Sequence, residues 1–292
     1  MATGTRIGWR VRVATSPPVK MSPSPVPIQR ARGRAEIAFR LSDGAARLKR
    51  LYQSGCSKAF LPRTHGRPPE VVLVNTAGGL TGGDRIDHAI AAEAGVRLVG
   101  TTQTAERIYR ALAGTARVET RLAAGADARL DWLPQETILF DGAALVRETG
   151  VDLAPDARFL GIETLILGRA ASGEVLLRQA LRDTRRIRRD GRLLLVDPVR
   201  IGDDVLLRAA GAGVLNGAKA LATLVLVEDG AGDALAALRA ALDEPGVTSA
   251  ASARPGMVVV RCLAADGWPL RRQLVRLLAQ LRPGGLSRVW QS

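Results

Sequence analysis

From Ala35 onward, apolar and polar residues alternate in runs bounded by turn residues. AEIAFRL (35–41) and ARLKRLY (46–52) flank Ser42-Asp43-Gly44, a signature of a β-hairpin. ARVETRL (116–122) and ARLDWLP (128–134) flank a second turn-like stretch, 123–127. In the first of these, Val118, Thr120 and Leu122 alternate with Arg117, Glu119 and Arg121. In the second, Leu130 and Trp132 alternate with Arg129 and Asp131. This is the period of half-buried strands. ETILF, RFLGIETLIL, EVLLRQAL and RLLLV follow as further apolar runs, with Gly, Asp and Asn turns between them. The spacing predicts short strands in an all-β sandwich, barrel or β-helix.

The final third reads differently. LATLVLV (221–227) and GMVVVRCL (256–263) predict strands, and DALAALRAALDE from Asp233 predicts a helix with Leu235, Leu238 and Leu242 on one face. PLRRQLVRLLAQLR (269–282) is the clearest helix. Its leucines at 270, 274, 277, 278 and 281 form one stripe, Pro269 suits its first turn, and Pro283-Gly284 stops it. Both stripes are read as core packing. The expected class is mainly β, an elongated β-helix-like or sandwich body with a small C-terminal α+β portion carrying two helices. The boundaries are a proline-rich basic lead at 1–32, a strand-rich part at 33–210 and the α+β portion at 211–292.

Composition narrows this picture. The 292 residues, 47% of them hydrophobic, suffice for a sizeable core. No apolar run is long enough for a transmembrane helix. Half of the net charge of +14 lies in residues 1–35, which hold seven basic residues and no acid. PPVKMSPSPVP (17–27) reads as a disordered lead, and Met21 is an alternative start. Arginine outnumbers lysine 38 to four, a skew that fits coding bias as well as function. A basic surface favours an acidic partner, whether protein or nucleic acid, and no basic aromatic helix argues for a membrane. Two cysteines far apart and no apolar leader fit a reducing cytoplasm.

Candidate chemistry is sparse. NTAGGLTGGDRI (75–86) follows the apolar run VVLV, as phosphate loops do. Gly78 and Gly83 have the GxxxxG spacing, but Asp84 and Arg85 stand where a phosphate loop needs Lys and Ser/Thr. The GxGxxG fingerprint is also absent. The glycines alone fit a turn needing positive φ, with Asp84 as its cap. Two histidines, no G-x-S-x-G and no CxxC leave no hydrolase triad and no zinc site. Asp84, Asp87 and His88 are a loose divalent-ion candidate, and a metal-dependent hydrolase built on them is a distant reading. Arg182 to Arg192 holds six arginines in eleven residues. It reads as an exposed hairpin with alternating arginines, or as a phosphate strip of a nucleic-acid-binding module. Aromatics at 3% make base stacking a weak case.

VVLVNTAGGLTGGDRI, TTQTAERIYRA (101–111), LDWLPQETILFDGA (130–143) and LGRAASGE (167–174), in this order, resemble the urease accessory proteins called UreD, or UreH in some bacteria. CLAADGWPLRRQL and SRVWQ near the C-terminus extend the resemblance over nearly the whole chain. It implies a maturation factor, not an enzyme, in a cytoplasmic complex with UreF and the GTPase UreG that docks on apo-urease. A homodimer within that complex is a further expectation, and nucleic acid is not. No tightly bound cofactor is implied, only transient Ni2+ passing through a wet internal tunnel. Exchangeable oxygen ligands suit such a path better than Cys or His cages, which hold nickel tightly. The matching candidates are Thr81 and Asp84 in the glycine loop, then Asp141, Glu163 and Asp197.

Overall fold

The computed structural model describes Met1 and residues 29–169, 172–282 and 284–291. Most of the proline-rich lead, Met21 and Pro283 of the expected helix stop lie outside these residues. The strands run in chain order as β1 (Arg32–Ser42), β2 (Ala45–Gly55), β3 (Ser57–Phe60), β4 (Glu70–Asn75), β5 (Arg85–Ala92) and β6 (Arg97–Thr102). Then come β7 (Glu106–Ile108), β8 (Ala116–Ala124), β9 (Arg129–Leu133), β10 (Thr137–Leu139), β11 (Ala143–Leu153) and β12 (Arg158–Leu167). The last are β13 (Gln179–Arg189), β14 (Arg192–Gly202), β15 (Ala220–Val227), β16 (Val247–Arg254) and β17 (Met257–Ala264). The helices are α1 (Asp203–Leu207), α2 (Leu235–Ala240) and α3 (Gly267–Leu281).

The chain winds between two sheets. One has seven strands in the order β14-β13-β11-β8-β5-β1-β2, the other ten, with β16-β17-β15-β12-β9-β6-β4-β3 as its main path. From β4 to β13 the chain swaps sheets repeatedly, so β5, β8, β11 and β13 stack in parallel in one, and β4, β6, β9 and β12 in the other. Short β7 and β10 pair in parallel at a corner and extend to β12. This is the expected β-helix-like body, closed at its ends by antiparallel partners: β2 on β1, β14 on β13 and β15 on β12. The C-terminal strands continue the ten-stranded sheet rather than starting another.

Local sequence explains the hairpins. Ser42 pairs with Ala45 across Asp43 and Gly44, both at positive φ. Arg189 pairs with Arg192 across Asp190 and Gly191 in the same way. Asp-Gly is the pair that such two-residue turns favour.

Four expectations change. The runs 116–122 and 128–134 do not pair with each other, because β8 and β9 belong to different sheets. β9 is not half-buried: Asp131 and Trp132 are both buried, because α3's C-terminal end covers the outer face. EVLLRQAL is extended strand only from Gln179. The helix expected from Asp233 is a 3-10 turn, Ala231–Ala234, followed by the single short helix α2. Several strands are also long, with eleven residues in β1, β11 and β13. β16, rich in Ala and Ser, and α1 have no strong periodic signal and were not expected.

Three apolar clusters hold the body. Ile37, Ile90, Leu122, Val151 and Ile187 fill one end between the sheets. Leu80, Ile86, Ile108, Leu139, Leu145 and Leu181 fill the other. A third lies outside the ten-stranded sheet, where Leu270, Leu274, Leu277 and Leu278 of α3 cover Leu224, Val258 and Val260. β12 and β15 are therefore buried on both faces, which is why they read as continuous apolar runs. Asp266 caps α3 by accepting from the Trp268 N–H at 2.8 Å. Gln273, fully buried on the leucine stripe, donates to Ala241 O (2.7 Å) and accepts from Glu244 N (3.1 Å).

Candidate functional site

The glycine loop answers its own composition. Leu80 exchanges backbone bonds with the strand carrying Arg107 and Tyr109, at 2.7 Å each. That contact brings the loop against residues 107–114. A Cβ on Gly79, at φ +148, would lie 2.4 Å from the Tyr109 ring, and one on Gly82 would lie 2.2 Å from Ala113 O. Glycine is needed there for close approach. Asp84 is buried and ties the loop together. One carboxylate oxygen accepts from Thr81 N (2.7 Å), and the other from Ala31 N (2.8 Å). The Thr81 hydroxyl donates to Arg110 O at 2.8 Å. Thr81 and Asp84 thus meet as a turn with its cap.

Asp84, Asp87 and His88 do not converge. Strand alternation puts Asp87 outside, where Arg85 binds it at 2.9 and 3.0 Å. His88 points inward, with Nε2 3.2 Å from Ser57 Oγ. Among the described residues no three His, Cys, Asp or Glu side chains gather as a metal cluster. The distant hydrolase reading therefore has no site there.

Inward alternation builds something else. On the seven-stranded sheet, Ala35, His88, Thr120, Thr149, Arg185 and Asp197 align in register across six strands. The adjacent inward row carries Ile86, Val118, Arg147 and Asp183. A polar layer therefore crosses the interior between the two apolar ends. At its centre Arg147 donates to Asp183 at 3.0 and 2.6 Å and to Thr137 Oγ1 at 2.9 Å. Arg147 Nη1 lies 3.0 Å from Glu163 Oε2. The other Glu163 oxygen accepts from Trp132 Nε1 (3.2 Å) and Thr149 Oγ1 (3.4 Å). Further along, Asp197 lies 2.7 Å from Arg185 and 2.5 Å from Arg261. Arg261 also donates to Thr223 Oγ1 at 3.2 Å.

Electrostatics follow from burial. Burial opposes the Arg147 charge, but Asp183 and Glu163 outweigh it and raise the guanidinium's pKa. Burial likewise works against ionised Asp183, and Arg147 reverses this and lowers its pKa. Loss of solvent lowers His88 to about 4, against a small opposing pull from Asp87. Loss of solvent raises Glu106 to about 7, although Asn75 donates to both its oxygens at 3.0 and 3.2 Å. One guanidinium against Glu163 and Asp183 leaves the centre of the layer with one negative charge when both acids are ionised.

A cavity of ≈ 60 Å³ opens beside this centre, lined by His88, Glu106, Gln135, Thr137, Arg147 and Glu163 among others. Gln135 Oε1 accepts from Arg271 at 2.8 Å, while its buried Nε2 has no hydrogen-bond partner among the described residues. Of the five carboxylate and hydroxyl candidates, Glu163 lines this cavity. Asp197 lies in the same polar layer, in its arginine pair. Thr81 and Asp84 form the loop cap. Asp141 sits apart, accepting from Leu177 N (2.8 Å) and Arg178 N (3.0 Å) and pairing with Arg110 at 2.5 Å. These backbone bonds lower its pKa, with Arg110 adding to them. Glu106, Gln135 and Arg147 were missed as site residues, and His88, expected as a loose ion ligand with Asp84 and Asp87, instead lines this cavity. An alternating strand shows that one face is inward, but not that several strands bring their polar residues to the same level.

The arginine run 182–192 is the β13–β14 hairpin. Arg185 is buried on Asp197, Arg186 pairs with Glu148 at 3.4 Å, and Arg189 with Asp229 at 3.1 Å. Arg185 is thus an exception to the exposed alternating pattern, since its position faces the interior. No described helix is long and apolar enough to cross a membrane.

The stretches 132–136 and 287–291 meet in space. Trp290 is buried and donates its indole N–H to Leu133 O at 2.9 Å, with Arg271 stacked on its ring at 5.0 Å. Comparison with known proteins matches the chain to one family. A family model described as UreD urease accessory protein matches residues 31–291. A urease accessory protein UreD from Cereibacter sphaeroides is 54% identical over 264 residues, covering 90% of this chain and 96% of the relative. One from Paracoccus denitrificans is 49% identical, covering 92% and 95%, and one from Jannaschia sp. 51%, covering 90% and 96%.

Proposed function

Because this chain belongs to the UreD family of urease accessory proteins, we propose that it is the scaffold and nickel-conduit subunit of a urease-maturation complex. In this reading it binds UreF directly, joins the GTPase UreG through the complex, and docks on apo-urease in the cytoplasm. GTP hydrolysis belongs to UreG. The glycine loop fits this division, since its glycines serve close packing and its aspartate caps a turn.

The observation that carries the conduit is the buried polar layer with its cavity. A folded body of this size gains nothing in stability from a guanidinium and two carboxylates at its centre that apolar side chains would not supply. The centre of the layer instead offers carboxylate, amide and hydroxyl oxygens and one imidazole, with one negative charge over when Glu163 and Asp183 are both ionised. Nickel is the cargo. Dispersed oxygen donors hold it weakly enough to pass on, whereas a convergent Cys/His set would retain it. Glu163 is the principal ligand in this reading, with Glu106 and His88 beside it. Asp197 extends the path along the layer, while Thr81, Asp84 and Asp141 guide or shape its ends.

The test is nickel content per urease active site in cells lacking this chain, cells given it back, and cells given Glu163→Gln. Restored loading by the native chain and reduced loading by a folded, normally abundant Glu163→Gln variant are expected. Full nickel loading of urease without the chain overturns the maturation role. Full loading with Glu163→Gln overturns Glu163 as a ligand and leaves the scaffold role standing.

A further inference from the structure

A second concave site lies on the opposite face of the ten-stranded sheet. There the end of α3 and the segment after it close over β6 and β9, leaving a cleft of ≈ 230 Å³ lined by Arg67, Arg97, Arg129, Arg282, Glu70 and Asp131, among others. Register brings its cations together. Arg97 of β6 pairs with Arg129 of β9, which pairs in turn with Arg158 of β12. Like charges directly opposite in a ladder repel. Asp131 offsets part of this, accepting from Arg129 Nε at 3.1 Å and from Arg282 Nε at 2.7 Å. Four guanidiniums against Asp131 and Glu70 leave the cleft with two positive charges when both acids are ionised. Arg282 is largely buried, and its Nη1 has no hydrogen-bond partner among the described residues. A buried N–H without an acceptor is costly. Two of the last carbonyls of α3 are already taken by donors. Leu281 O takes Arg129 Nη2 at 3.1 Å, and Leu278 O takes Arg282 N at 2.9 Å.

We propose that this arginine cleft binds a phosphate group. Two positive charges match a phosphate dianion. Its donors come from the sheet below (Arg97, Arg129) and from the chain closing over it (Arg67, Arg282), an arrangement that surrounds a tetrahedral group. Guanidinium forks are the side chains best suited to such an oxyanion. The group comes from free inorganic phosphate or from a phosphate monoester. The site is on the other side of the sheet from the polar cavity, and the proposal stands independently of the nickel reading.

The experiment is isothermal titration of the full chain with inorganic phosphate and, separately, with phenyl phosphate, against chloride at matched ionic strength. Saturable binding of phosphate is expected. Arg97→Gln, which touches neither Asp131 nor the core, should weaken it about tenfold, the loss of one charge-assisted contact. Arg282→Lys keeps the charge beside Asp131 but removes the fork, and should weaken it as well. Arg40→Gln, on β1 of the other sheet, should leave it unchanged. Tighter binding of phenyl phosphate than of phosphate assigns the monoester as the source, and the reverse assigns the free ion. No saturable binding above the chloride control, or equal affinity in Arg97→Gln and the native chain, overturns the proposal.

Discussion

Arg147 on β11 and Asp183 on β13, paired in register, are joined by two parallel bonds of 3.0 and 2.6 Å in the middle of the protein interior. The pair sits between two apolar clusters, where neither charge could stand alone. Replacing Arg147 with Met should therefore leave Asp183 and Glu163 uncompensated and cost about 3–5 kcal/mol. Urea denaturation of the variant reads this directly. A loss under ~1 kcal/mol, the worth of an exposed pair, would mean that the carboxylates take up protons or rearrange.

The glycine loop makes a steric prediction. Gly82→Ala puts a methyl group 2.2 Å from Ala113 O, a backbone atom that cannot swing away. The expected destabilisation is about 1–3 kcal/mol, as for other overpacked sites. Gly44→Ala is a useful contrast: no atom of the described residues lies within 4 Å of its Cβ, and its φ of +73° opposes the change. Thermal unfolding of the two variants separates close packing from backbone conformation.

Asp84 makes a prediction that separates two roles. Asp84→Ala removes the acceptor for both Thr81 N and Ala31 N and should destabilise the chain by about 1–3 kcal/mol. Asp84→Asn keeps one oxygen and should recover part of that. If urease nickel loading follows the amount of folded protein in both variants, Asp84 acts through the loop. Loss of loading in a normally folded Asp84→Asn chain would instead assign it to the nickel path.

His88 and Glu106 give opposite pH dependences. His88 falls from 6.5 to about 4 on folding, so between these values the unfolded chain binds the extra proton. Stability from His88 is complete above pH 6.5 and is lost as pH falls towards 4. Glu106 rises from 4.5 to about 7, so here the folded chain binds the extra proton. Its contribution is complete below pH 4.5 and is lost as pH rises to 7. Between pH 4.5 and 6.5 the two slopes oppose each other. Glu106→Gln should make stability climb more steeply with pH across that window, as measured by urea midpoints at several pH values. An unchanged slope would show that Glu106 does not change its proton uptake on folding.

How much of this was legible in the sequence differs by level. The β1–β2 hairpin was readable because its turn chemistry and alternation are local. The α3 stripe was readable for the same reason, since residues three and four apart share a helix face. The polar layer was not. Each strand contributes only one or two of its residues, and Arg147 and Arg185 look like the charged outer positions of an ordinary half-buried strand. The family resemblance supplied Glu163 as a candidate but did not bring His88, Glu106 or Gln135 to its side.

The sequence by itself determined where the chain is extended, where it turns, which late segment forms the long helix and which family it resembles. All of these rest on neighbours within a few residues or on motif order. Tertiary structure alone decided which strands pair, since a parallel partner in this solenoid lies about one winding away along the chain. Register then selected which side chains share a level. It turned Arg147, Asp183 and Glu163 into one buried network, separated His88 from Asp87 across a strand, and lined up Arg97 with Arg129 on the far face. Burial completed the work by removing water from those groups, which is what makes the charge of each depend on its neighbours.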